Sequence, residues 1–144
     1  GGVGGAALKM APTLWALARK ASADKYQALV NASLTVEQAA ARLKVTPSRV
    51  RQLLGSSRLY GLKAGLDLRI PSFQFLGRGG LIPGIERVTM RIVPRRVSLL
   101  AFYNWLTTPN PDLRTRDEEE ALSPLDWLQI GESPEEAAAL SDAL

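Results

Sequence analysis

The chain contains no cysteine and no histidine. Thiolate and imidazole zinc sites, a cysteine nucleophile and a Ser-His-Asp triad are therefore excluded, and most familiar hydrolytic chemistry goes with them. No apolar run approaches the roughly 20 residues of a membrane span. The Gly-Gly-Val-Gly-Gly start lacks the basic-then-apolar layout of a signal peptide, so a cytoplasmic chain with no membrane partner is expected. The nearest approach to an acid–base set is Glu118, Glu119 and Glu120, yet adjacent side chains on a helix diverge rather than converge. No enzyme, cofactor or metal is expected. What is present is a 46% hydrophobic chain of 144 residues, enough for one ordinary domain or two small ones with real cores.

Acidic residues are scarce in the first half only. Residues 1–75 carry eleven Lys/Arg against three Asp/Glu, a net of +8, whereas residues 76–144 carry seven against eleven, a net of −4. A basic front suits attraction to a phosphate backbone. An acidic rear would be repelled by DNA and suits a protein partner instead.

Residues 35–54, TVEQAAARLKVTPSRVRQLL, read as two short helices joined by a tight turn. Thr35 followed by Gln38 is a capping box, and Ala39, Ala40 and Leu43 then share one helical face. Thr46 before Pro47 repeats the start signal, since proline's missing N–H costs nothing at a first helical position. Val50, Leu53 and Leu54 would face a core, which leaves Ser48, Arg49, Arg51 and Gln52 pointing outward. Those side chains are of the types that grip base edges, Arg on guanine and Gln on adenine. Lys44, Thr46, Arg58, Lys63 and Arg69 are better cast as clamps on the backbone phosphates.

Beyond a turn at residues 55–58, LYGLKAGLDLRIP alternates Leu66, Leu68 and Ile70 around an Ala64–Gly65 bend, which predicts a hairpin. This order of parts, with Arg69, Ile70 and Pro71 closing the wing, resembles the excisionase and MerR-like winged helix-turn-helix family over roughly residues 34–75. The resemblance implies a duplex-reading unit whose second helix enters the major groove. Ahead of it, residues 12–21 and a segment from Ala23 carry helical spacing and predict two helices packing over the reader to complete its core, making 1–33 an N-terminal unit. Residues 73–84, FQFLGRGGLIPG, mark loops between units, so a boundary is placed near Leu76.

In residues 76–144, Ile85, Val88 and Ile92 have helical spacing, but Val88, Met90 and Ile92 also alternate. Helix is the preferred reading. Ser98 can cap a helix carrying Leu99, Phe102, Tyr103 and Leu106, and Ser123-Pro124 and Ser133-Pro134 open two more with carboxylates near their starts. The Trp-Leu helix end, the Thr-Pro-Asn-Pro-Asp-Leu loop, and the Ser-Pro-Leu-Asp-Trp-Leu helix look like the toxin-binding region of the Xre/MbcA/ParS-type antitoxins. That resemblance would place partner contacts at Trp105, Leu106, Asn110, Leu125, Trp127 and Leu128. Each Trp can equally anchor a small helical core.

The expected fold is mainly α, a winged helix-turn-helix with a small β-hairpin followed by a small C-terminal helical domain. The two resemblances together imply the antitoxin of a bacterial type II toxin–antitoxin system. Such a protein neutralises a protein toxin through its C-terminal region and represses its own operon, binding operator DNA as a homodimer. The alternative is a stand-alone MerR/excisionase-like transcription regulator.

Overall fold

Thr35 and Thr46 each end an extended stretch and start a helix, and in the computed structural model both do so through their hydroxyls. The structure describes residues 2–77, 79–117 and 119–144, with side chains from residue 13 onwards. Thr35 Oγ1 accepts from the Gln38 N–H at 3.1 Å, and the Gln38 Oε1 accepts from the Thr35 N–H at 2.9 Å, closing the capping box of α2 (Val36–Leu43). Thr46 Oγ1 accepts from the Arg49 N–H at 3.1 Å and Pro47 takes the first position of α3 (Pro47–Gly55). Lys44 adopts a left-handed φ of 57° between them, which turns the chain sharply enough to lay α3 against α2.

The wing follows as β1 (Leu62–Ala64) and β2 (Asp67–Arg69), antiparallel with Leu62 opposite Arg69, Lys63 opposite Leu68 and Ala64 opposite Asp67. Gly65, at φ +65°, supplies the left-handed step that the two-residue turn requires. Leu66 is the second residue of that turn, so it falls outside the strand alternation expected for it and stands 103% exposed. Ile70 is fully buried and bridges to Leu34 through paired backbone bonds of 2.7 and 2.8 Å. Val36, Ala39, Ala40, Val50, Leu59, Ile70 and Phe75 form the core of this unit.

One continuous helix, α1 (Gly2–Asn31), replaces the two expected in the N-terminal stretch. Ala21-Ser22-Ala23 contains neither glycine nor proline, and alanine is the best helix former, so nothing there stops the helix. Its last turns also pack elsewhere than anticipated. Leu29 and Val30 lie against the C-terminal core, Lys25 donates to Asn104 Oδ1 at 2.7 Å, and its ammonium sits 5.1 Å from the Tyr103 ring centre. None of the helices among the described residues is long and apolar enough to cross a membrane.

The C-terminal part is helical: α4 (Ile85–Ile92), α5 (Leu99–Thr107), α6 (Pro124–Gln129) and α7 (Pro134–Leu140). Ile85, Val88 and Ile92 are buried while Met90 is 46% exposed, which settles the ambiguous segment as a helix, because a strand would have buried Met90 with its alternating neighbours. Ser98, Ser123 and Ser133 cap α5, α6 and α7 as their positions before each helix predict. α4 and α7 approach closely at Gly84, where an added Cβ would stand 2.5 Å from the Pro134 ring.

Tyr60 and Gln74 join the two cores. Gln74 is fully buried; its Oε1 accepts from the Tyr60 N–H at 2.8 Å, and its Nε2 donates to the Tyr60 carbonyl at 2.9 Å and the Pro71 carbonyl at 3.1 Å. The Tyr60 ring packs 5.2 Å from that of Phe102, and its hydroxyl donates to the Val97 carbonyl at 2.7 Å. The glycine-rich loop is likewise tied down, with a Leu76 N–H to Gly80 carbonyl bond of 2.8 Å and a bridge from Phe75 to Leu81. Leu81 packs against both cores.

Burial raises the Tyr60 pKa above its ordinary value near 10, with a smaller contribution from Tyr26. The unfolded chain therefore gives up this proton first, so the stability that Tyr60 contributes is complete below about pH 10 and is lost as pH rises through the folded-state value. Tyr60→Phe should cost about 1 kcal/mol at neutral pH, the net worth of one hydrogen bond. It should also flatten the alkaline loss of stability, measured by urea denaturation between neutral pH and pH 11.

Candidate nucleic-acid interface

On α3 the inward face is Val50, buried, with Leu53 and Leu54 half-buried. Helical geometry then turns Ser48, Arg49, Arg51 and Gln52 out, and all four are exposed. Arg49 Nη1 reaches Gln52 Oε1 at 3.4 Å, so the arginine and the amide share one patch on the first turns of the helix. Arg51 stands 3.9 Å from Glu37 of α2.

Lys44, Thr46, Arg58 and Lys63 are exposed as well. Thr46 already has its hydroxyl committed to capping α3. Arg69 is half-buried on β2 and 3.6 Å from Asp67. Among the described residues, no carboxylate lies within 4.0 Å of Lys44, Arg49, Arg58 or Lys63. The turn before α3, its first turn, the segment after it and the wing thus carry one exposed, unpaired cation each among the described residues.

In the rear half three arginines are paired, while Arg96, Arg114 and Arg116 are exposed with no carboxylate within 4.0 Å among the described residues. Arg87 pairs with Glu135 at 3.6 Å, and Arg91 and Arg95 share Asp142 at 2.9 and 3.8 Å. Exposed pairs of this kind contribute only about 0–1 kcal/mol each, so their main effect is to cancel charge.

The six residues expected to meet a protein partner separate into two groups. Leu106, Trp127 and Leu128 are buried core residues, and the Trp127 indole N–H is satisfied by the Ser133 carbonyl at 2.8 Å. They hold α5, α6 and α7 together and have no surface to offer a partner, which corrects the expectation for these three. Trp105, Asn110 and Leu125 are half-buried. Trp105 and Asn110, with Ala101, Asn104, Thr108 and Pro111, line a groove of about 370 Å³ at the end of α5. The Trp105 Nε1 is buried without a hydrogen-bond partner in the structure. Of the adjacent glutamates, Glu119 and Glu120 are exposed and Glu118 lies outside the described residues. Among the described residues, no cluster of three or more Asp/Glu is placed to hold a metal ion.

Several features of the surface escaped the sequence reading. Glu37 and Asp67 carried no motif, and neither did Ala101, Asn104 and Thr108 of the groove, whose spacing on α5 could have been read only with Trp105 as the reference.

No protein-family model matches the chain, and no curated protein matches it. Among solved structures, an NMR structure of Rv2175c is similar, with a TM-score of 0.50 and 23% sequence identity, covering 76% of this chain and 80% of that one. At that identity the likeness speaks for the shared fold, a helical chain with one small hairpin.

Proposed function

We propose that this protein is a sequence-specific DNA-binding repressor whose C-terminal unit holds a protein partner, acting as the antitoxin of a bacterial type II toxin–antitoxin system. The observation that carries the DNA half is the exposed patch of Ser48, Arg49, Arg51 and Gln52 beside a wing that carries the unpaired Lys63. The start of α3 enters the major groove, where Arg49 and Arg51 reach guanine edges and Gln52 reaches adenine. Lys44, Arg58 and Lys63 clamp phosphates, and the Thr46 hydroxyl orients the reading helix by capping it.

One such unit makes few contacts, so two copies on a palindromic site are needed for tight binding. The partner half rests on the groove beside Trp105, whose buried indole N–H can donate to a carbonyl that a toxin chain would bring. A second reading, a stand-alone regulator, is favoured by the burial of Leu106, Trp127 and Leu128, which leaves only part of the antitoxin-like motif available to a partner.

With about six phosphates neutralised, the logarithm of affinity for duplex DNA should fall with the logarithm of salt at a slope near −5. Arg49→Ala should change the sequence preference by about 1–3 kcal/mol at one base, whereas Lys63→Ala should weaken all duplexes alike and lower the slope by about 1. Gel-shift titrations at a series of salt concentrations check both, and variants that bind like the parent would remove α3 and the wing from the interface. Co-expression with the product of the neighbouring gene separates the two readings. An antitoxin relieves growth inhibition by that product, and Trp105→Ala loses the relief while still binding DNA; a stand-alone regulator relieves nothing.

A further inference from the structure

The six cations around α3 and the wing fall into two classes that the fold itself defines. Lys44, Arg49, Arg58 and Lys63 have no carboxylate within reach among the described residues. Arg51 and Arg69 each have one, Glu37 at 3.9 Å and Asp67 at 3.6 Å. These four groups line a single groove of about 290 Å³ between the start of α2, α3 and the wing, with Thr35 at its edge. One pair joins two elements, Glu37 of α2 and Arg51 of α3, and the other lies within β2, Asp67 and Arg69. Both carboxylates are largely exposed, at 70% and 73%, so they stand where a duplex laid against α3 and the wing would meet them.

A carboxylate in a DNA-facing groove repels every phosphate, whatever the sequence. It also occupies a guanidinium that would otherwise take any phosphate within reach. An arginine held in this way leaves its acid only where the new contacts offset the lost pair, and at the right site the two-point O6/N7 edge of guanine adds to the phosphate contacts that every duplex offers. Repulsion against wrong sites together with attraction to the right one is how discrimination exceeds raw affinity.

We propose that Glu37 and Asp67 are specificity-determining residues, which withhold Arg51 and Arg69 from non-cognate duplex and release them only at the correct site. This rests on the DNA-binding reading above. In its simplest form Lys44, Arg58 and Lys63 set general affinity, and the paired arginines add to the choice that Arg49 and Gln52 make.

The test uses the full chain. A duplex is first selected in vitro by the parent protein, and its affinity and that of a scrambled duplex of equal length are measured across a salt series for the parent, Glu37→Gln, Asp67→Asn and the double variant. Each single variant should bind the scrambled duplex at least about threefold more tightly, with a salt slope steeper by about 1 because one more phosphate is neutralised. The ratio of selected to scrambled affinity should fall. Glu135→Gln frees Arg87 on the other unit with the same change in charge, and should leave both affinities close to the parent's. Scrambled binding and slope that stay at the parent's values would overturn the inference. So would a Glu135→Gln variant with the same gain, because the effect would then be net charge alone. A Glu37→Gln variant that loses the selected duplex while leaving the scrambled one unchanged would also overturn it, by making Glu37 a base contact. If the parent selects no duplex at all, the DNA-binding reading fails and takes this inference with it.

Discussion

Gln74 is a polar side chain with no access to solvent, and everything on either side of it depends on its being satisfied. Its amide answers both the N–H and the carbonyl of Tyr60 and reaches the Pro71 carbonyl as well. An unmatched buried amide costs about 1–3 kcal/mol for each group left without a partner, so the segment at residues 59–61 and the turn at residues 71–75 hold their separation. Tyr60 then carries the constraint outward, through its ring to Phe102 and its hydroxyl to Val97. The wing is built between these two anchored points. The angle at which Lys63 and Arg69 stand to α3 follows from a seam, not from the hairpin alone, since a three-residue two-stranded hairpin has little stability of its own.

The same seam separates two electrostatic regimes. On the helix-turn-helix and wing, exposed cations outnumber carboxylates, and Lys44, Arg49, Arg58 and Lys63 stand unpaired among the described residues. On the C-terminal unit, Arg87, Arg91 and Arg95 are spaced one helical turn apart along α4 and its end, and each meets an acid from α7 or the segment after it. Those pairs contribute little stability, and their main effect is to cancel charge locally. Among the described residues, the Trp105 indole N–H is a buried side-chain group without a hydrogen-bond partner, and Trp105 lines a groove with no charged side chain. A surface with exposed, unpaired cations and a groove lined by no charged side chain thus lie on different parts of one molecule.

Much of this was legible because it is written in local signals. Thr35 with Gln38, Thr46 with Pro47, and the three serines before the later helices act within one helical turn, and each acts as read. The exposure of Arg49, Arg51 and Gln52 follows from Val50 alone once the helix is placed. What was misread depended on where local rules compete. Leu66 looks like a core residue by alternation, but Gly65 sets the turn one position earlier and puts it in solvent. Trp105-Leu106 and Trp127-Leu128 are the same dipeptide in sequence, and only packing decides that one indole is satisfied by Ser133 and the other is not. The direction in which α1 packs, the Tyr60–Gln74 knot and the Glu37–Arg51 pair are contacts between segments distant along the chain, with no pattern in either partner to announce them.

The central claim is that the start of α3 and the wing form one surface for duplex DNA. The most direct measurement is backbone amide NMR of the labelled protein titrated with a duplex selected by the protein itself. Saturable shifts centred on residues 48–52 and 63–69, with residues 99–144 nearly still, are the predicted result. Shifts concentrated on α5 and α6 with α3 unmoved would contradict it.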